Sequence, residues 1–553
     1  MHSPITVRRV RCLAILLASI ALAQPSKDKE PDLGGVTETH LMVPMRDGAK
    51  LSVYLYTPPG KGPWPVLYEQ RYASLRGAST RQRYAKLAAQ GYIVAAENFR
   101  GTQLSGGTYV GYRALGWGEQ KDGYDTVEWL AKQPWSTGKI GTFGGSQAGY
   151  AQNFLAVTQP PHLVAQFITD GGLSLFHLGY RIGGITRGKR YEQMYDVCRE
   201  PNDGRMDLLR QLEHPTYDVY WQQEDCRRHF DKMNVPCFTV ASWYDFMSVG
   251  SIETFLGREH HGGPRSRGAQ KLVIGPWLHG GTKTTTQIAE MEYPKNSFFD
   301  VDAHMVRWFD HYLKGKDTGI EKDPPVRYYV LGVNEWRTAK DWPVPGKDAV
   351  YYLRESELTQ TKPISASGET EFKADPANPA PMPGRNYLSA RDGREWEKHP
   401  DVRSFTTQPL AKAVEWTGKV SAELFVSSNV PDTDFILRVS DVYPDGRSIM
   451  LIESIRRARF REGFEKMVFM KPGEVYKIAF DIGHLSQVFA PGHRIRVSVG
   501  GTGSDFYEPN TNTEDNPTIG PPSKTAIAAN KLQHNRIHAS RIIVGHTARL
   551  PGN

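Results

Sequence analysis

Four cysteines in 553 residues are too few for a disulfide scaffold. Cys198, Cys226 and Cys237 lie beyond the N-terminal segment and can supply one disulfide plus a thiol, or three buried thiols. Long apolar runs are missing as well. Cys12 to Leu22 is apolar but for Ser19, and about 20 residues are needed to span a bilayer. No Lys/Arg run marks a nucleic-acid groove. Neither a Walker loop nor a dinucleotide fingerprint is present, and nothing implies a cofactor. His260-His261 stands beside Gly262-Gly263 with no third ligand at zinc spacing, and reads as a solvated turn. No internal repeat is evident.

What is present begins with an export signature. Arg8, Arg9 and Arg11 precede the apolar run, and Ala21-Leu22-Ala23 ends it as a cleavage site. Residues 1–23 therefore read as a signal peptide, and the protein is expected to be exported, periplasmic or secreted, with no membrane anchor after cleavage. Loss of those three arginines lowers the formal charge from +8 to +5, which is mild for a chain of this size. Residues 24–35, polar and proline-bearing, read as a disordered arm.

Strand and helix signals alternate from residue 36 onward. A hairpin (40–57) is followed by buried strands at Pro65–Tyr68, Tyr92–Ala96 and Lys139–Phe143, with helical spacing at 79–90 and 119–133 between them. Strands at 163–170, 235–241 and 271–274 follow, with helices at 249–256 and 302–313. This rhythm predicts an α/β domain over 36–320, a parallel sheet covered on both faces. Residues 171–232 break it without a clean strand and read as a helical cap insertion. From 321 to 553 short strands separated by Pro/Gly/Asn/Asp turns predict an all-β jelly roll.

The chemistry concentrates at Gly144-Gly-Ser-Gln-Ala-Gly149, between the strand 139–143 and an apolar helical run. A serine at the tip of a sharp strand-to-helix turn is the nucleophile elbow of α/β-hydrolases, and Gly144 and Ala148 supply the small flanks it needs. Such a serine requires a base and an orienting carboxylate, in the chain order Ser, Asp/Glu, His. Asp245 follows the strand ending at Ala241, and His279 follows the strand 271–274. Both positions lie at carboxyl ends of strands, where such sheets build their sites.

The ordered motifs resemble the cocaine esterase, α-amino-acid ester hydrolase and X-Pro dipeptidyl-peptidase group, which includes glutaryl-cephalosporin acylases. They are Arg46-Asp-Gly48, Asn98-Phe-Arg-Gly101 with Gly106, Asp122-Gly-Tyr-Asp125 with Trp129, Gln133-Pro-Trp135, the elbow, and Gly275-Pro-Trp277 with His279. Asp441–Gly446, Arg457–Arg461, Pro491–Arg494 and Asn510–Thr513 resemble that group's jelly roll. The resemblance implies Ser146 as nucleophile, His279 as base and acid, and Asp245 as orienting carboxylate. It also implies the backbone N–H of Gln147 and the hydroxyl of Tyr72 as oxyanion donors, without cofactor or metal. The expected partner is a small ester or amide, not nucleic acid. Trp243, Tyr244, Phe246 and Trp277 flank the triad motifs, and no Lys/Arg cluster does, so an apolar or aromatic acyl group is expected. Two rival readings remain. An X-Pro dipeptidyl-peptidase would hold the substrate amine on cap carboxylates such as Glu192, Asp196 or Glu200. A secreted binding protein would use its jelly roll instead.

Overall fold

The computed structural model describes residues 30–198, 203–281, 286–382, 390–503, 506–515 and 524–545. The expected signal segment 1–23, residues 24–29 of the expected arm and Glu200 lie outside these residues.

A ten-stranded sheet organises the first half. Its strands are β1 (Thr37–Pro44), β2 (Lys50–Thr57), β3 (Trp64–Arg71), β4 (Ile93–Asn98), β5 (Ser136–Gly145) and β6 (Leu163–Thr169), then β7 (Cys237–Ser242), β8 (Gln270–Gly275), β9 (Val326–Val330) and β10 (Glu335–Ala339). The spatial order is β1-β2-β4-β3-β5-β6-β7-β8-β9-β10, parallel from β4 through β9. Every residue of β4 and of β7 is buried, as a strand covered on both faces must be. Helices α1 (Ala78–Ala88), α2 (Asp122–Ala131) and α3 (Gln147–Thr158) fill the first crossovers. The cap contributes α4 (Gly188–Val197) and α5 (Asp203–Arg210), and α6 (Ser248–His261) and α7 (Val301–Lys314) complete the layer. Asp300 caps α7 by accepting from Ala303 N at 3.2 Å.

Several expectations change. Residues 30–35 of the expected arm are largely exposed but anchored at two points: Leu33 lies against the core and Glu30 pairs with Arg81 at 2.5 Å. His260 and His261 end helix α6 instead of forming a turn, and His260 Nε2 lies 3.1 Å from Asp341. The cap includes a short ribbon, Arg181–Ile182 with Ile185–Thr186, beside its helices. Strands β9 and β10, which follow the expected domain boundary at 321, extend the first sheet. Its edge reads as all-β because β10 is antiparallel, while β9 supplies one more parallel neighbour for β8.

The second half is an eleven-stranded, largely antiparallel β assembly, with long strands at Val414–Ser428, Asp434–Val442, Ser448–Arg457 and Tyr476–Phe489. Its core is continuous with the first domain's: Trp243, Ile252 and Leu272 share one apolar cluster with Trp416, Val420 and Leu485. Cys198, Cys226 and Cys237 are free and buried, which selects the thiol alternative. Among the described residues no helix is long and apolar enough to cross a membrane.

Candidate active site

Five chain segments reach one edge of the sheet. Tyr72 follows β3, Ser146 follows β5, Asp170 follows β6, Asp245 follows β7 and His279 follows β8. All lie past the carboxyl ends of parallel strands.

Ser146 sits at the turn between β5 and α3 with φ 57° and ψ −116°, a region that L-residues rarely occupy. Its N–H donates to the carbonyls of Thr169 and Asp170 at 3.1 and 3.2 Å, which ties the elbow to the end of β6. Small residues allow the turn. A Cβ on Gly144, at φ 123°, would lie 2.7 Å from the Cβ of Ala148. One on Gly149 would lie 2.7 Å from the Cα of Gly171. Ala148 and Gly149 thus let α3 start flush against the strand-exit loop.

His279 Nδ1 donates to Asp245 Oδ2 at 2.9 Å, and the Asp245 side chain is wholly buried. Because an ionised carboxylate only accepts, this contact places the proton on Nδ1 and leaves Nε2 as the basic nitrogen. Burial disfavours the imidazolium, but the Asp245 hydrogen bond and charge outweigh it, so the His279 pKa is raised above its ordinary value. Phe246 stacks on the imidazole at 5.4 Å.

A second carboxylate, absent from the sequence expectation, completes this cluster. Asp170 is 1% exposed, and its carboxylate, that of Asp245 and a His279 ring nitrogen lie within 4.8 Å of one another. Gly280 N donates to its Oδ2 at 2.9 Å, whereas its Oδ1 has no hydrogen-bond partner. Burial first, and then the charge of Asp245, push the Asp170 pKa up to about 7 against the opposing pull of His279. Two carboxylates and an imidazole this close could also ligate a metal. Ligation through Nδ1 would displace the proton that Asp245 holds there. Residue 170 ends a sheet strand beside Gly171-Gly172, and that position was the only signal for it in the sequence.

Tyr72 and Gln147 are joined more closely than expected. Gln147 Oε1 accepts from the backbone N–H groups of Tyr72 and Ala73 at 2.8 and 3.0 Å, so the residue after the serine also clamps the Tyr72 loop. Asn98 braces that loop from β4, donating to Ala73 O at 2.9 Å. The Tyr72 hydroxyl accepts from Arg190 Nη2 of the cap at 3.1 Å.

Of the four flanking rings only Phe246 borders the site. Trp243, Tyr244 and Trp277 are core residues, 2–3% exposed. Trp243 donates to Tyr329 O and Trp277 to Ser297 O. The cap candidates Glu192 and Asp196 are exposed on α4. A cavity of about 1360 Å³ opens behind Asp245, between the cap, α6 and the β assembly, but Ser146 does not line it.

Residues 47–205 and 185–281 match the model of the X-Pro dipeptidyl-peptidase (S15) family, and 318–542 match its C-terminal non-catalytic domain. The chain is 29% identical to cocaine esterase of Rhodococcus sp. strain MB1 Bresler, over 92% of this chain and 98% of that one. An aminopeptidase from the marine sediment archaeon Thaumarchaeota archaeon superposes with a TM-score of 0.83 at 23% identity, covering 93% and 97%. An α-amino acid ester hydrolase superposes at 0.82 and 22% identity, covering 95% and 99%. Both superpositions carry the α/β-hydrolase sheet and the β assembly together. With both family models matched in order along most of its length, the chain belongs to the cocaine esterase and X-Pro dipeptidyl-peptidase family of serine hydrolases.

Proposed function

We propose that this protein hydrolyses carboxylic esters, or activated amides, through an acyl-enzyme on Ser146. The observation that carries the reading is the strained serine at the elbow, on the same sheet edge as an imidazole whose Nδ1 is held by a buried carboxylate. Ser146 Oγ attacks the acyl carbonyl while His279 Nε2 takes its proton, and Asp245 stabilises the imidazolium. The oxyanion is met by the Gln147 N–H, at the start of α3, and by the Tyr72 hydroxyl. His279 then returns the proton to the leaving group. Water attacks the acyl-enzyme by the same route and regenerates Ser146.

The esterase relative, aligned over nearly the full length of both chains, supports ester over peptide substrates. The match to the X-Pro dipeptidyl-peptidase (S15) family favours the second reading, an X-Pro dipeptidyl-peptidase. A panel of p-nitrophenyl esters and Ala-Pro p-nitroanilide separates the two. The esters are expected to turn over with the higher kcat/KM, and a clear preference for the anilide would move the protein to the peptidase reading.

A further inference from the structure

The cap brings two arginines to the nucleophile that no triad motif announces. Arg187 precedes α4 and Arg190 lies in its first turn; both are half-buried. Arg190 reaches the Tyr72 hydroxyl and packs over that ring at 5.6 Å. Arg187 lies over Phe246 at 4.8 Å, and Phe246 in turn stacks on His279. One guanidinium therefore stands on the oxyanion side of the elbow and the other on the base side. Both act electrostatically on the phenol of Tyr150, four residues past Ser146 in α3, whose buried hydroxyl has no partner.

Neither arginine has a carboxylate within ion-pair distance among the described residues. Most arginines buried in this protein do: Arg81 pairs with Glu38, Arg100 with Asp47 and Asp122, Arg438 with Glu453, Arg457 with Asp434 and Arg459 with Asp432. Arg181 and Arg258, each sealed singly in the interior, also lack one, as does the half-buried Arg456, which donates to the Phe460 carbonyl. Among the described residues Arg187 uses only Nη1, on the carbonyls of Leu178 and Gly179 at 3.0 Å. Its Nε–Nη2 edge, the fork that matches a carboxylate, donates to no group among the described residues. Burial and then the charge of Arg190 lower the Arg187 pKa to about 10. Two like charges held together at a partly desolvated cleft are unfavourable until an anion joins them.

We propose that Arg187 and Arg190 form a carboxylate-binding subsite beside Ser146, so that preferred substrates are esters carrying a carboxylate near the scissile acyl bond. The inference rests on the esterase reading and narrows its substrate class. It adds a charged group to the expected apolar or aromatic surroundings, with Phe246 and Phe506 flanking the Arg187 guanidinium at 4.8 and 5.1 Å. It also sets the site against a free substrate amine, which two guanidiniums would repel.

Two substrate pairs test it, each swapping a methyl for a carboxylate. Monomethyl terephthalate against methyl 4-methylbenzoate places the charge in the acyl half, and 4-acetoxybenzoate against 4-methylphenyl acetate places it in the leaving group. In at least one pair the wild type is expected to favour the carboxylate by about tenfold or more in kcat/KM, the size of one charge-assisted contact. The ratio is expected to fall by a similar factor in Arg187→Gln and Arg190→Gln. Turnover of all four esters with no carboxylate preference in either pair overturns the subsite and leaves the esterase standing. Should no ester turn over, the esterase reading fails separately. Calorimetric titration of wild type with benzoate then judges the subsite: binding that Arg187→Gln weakens supports it, and absence of binding overturns it. The wild-type measurements stand even if a variant does not fold.

Discussion

At the scale of single residues, the proposed oxyanion hole joins Tyr72 and Gln147, whose loop and side chain are hydrogen-bonded to each other. Removing the hydroxyl in Tyr72→Phe is expected to lower kcat by roughly 10²-fold with little change in KM. Gln147→Ala keeps its backbone donor but frees the loop that its Oε1 holds. Its kcat should also fall, and the two losses should be less than additive, because both act on one hole. Steady-state kinetics on a p-nitrophenyl ester reads both, and an unchanged kcat in Tyr72→Phe assigns the second donor elsewhere. The titration of His279 yields a further test. General-base action needs neutral imidazole, so kcat/KM should rise with pH through the raised His279 pKa, with its midpoint above the ordinary value of about 6.5. Asp170 titrates near 7 in the same cluster and its negative charge favours the imidazolium. Asp170→Asn removes that charge and should move the acidic limb to lower pH. A limb that does not move would show that Asp170 has no electrostatic hold on His279.

At the scale of elements, much of the site was legible because its parts are local. The elbow advertises itself through Gly144, Ser146 and Ala148, and Asp245 and His279 each follow a recognisable buried strand. Three of the other first-domain motifs, Arg46–Gly48, Asn98–Gly101 and Asp122–Asp125, do something else: they meet in one ion-pair network. Arg100, from Asn98–Gly101, holds Asp47 at 2.6 Å and Asp122 at 2.7 Å, and Arg46 holds Asp125 at 2.6 Å. The hairpin turn, the exit of β4 and the start of α2 are thereby locked together. Asp122→Ala would leave Arg100 buried with only Asp47, and should destabilise the domain by about 3–5 kcal/mol. Chemical denaturation should show that loss, while kcat of the folded fraction stays near wild type. The cap was not legible in this way. Arg187 and Arg190 lie some forty residues past Ser146, and nothing in a helical pattern says which turn overhangs which loop. Asp170 was missed for a related reason: an aspartate at a strand end looks like any turn residue until Asp245 is brought beside it.

At the scale of the whole molecule, the two-part architecture was readable from the change in strand rhythm, but the degree of fusion was not. Strands β9 and β10 cross the expected boundary, and Trp243, Trp342 and Leu485 belong to one apolar cluster. The cap is also stitched to the β assembly, Arg457 N donating to Gly183 O at 3.1 Å. A chain ended at Asp348 would expose half of that cluster and should fail to accumulate as soluble, active enzyme. Soluble expression at wild-type activity would show that the two parts fold independently. The central claim, a Ser146 acyl-enzyme, is read most directly on the intact protein. A fluorophosphonate should add its phosphonyl mass once per wild-type chain, with peptide mapping placing it on Ser146. Ser146→Ala should neither label nor turn over esters, its kcat reduced on the order of 10⁴-fold or more. Labelling at another residue, or a Ser146→Ala variant that keeps most of its esterase activity, would contradict the account.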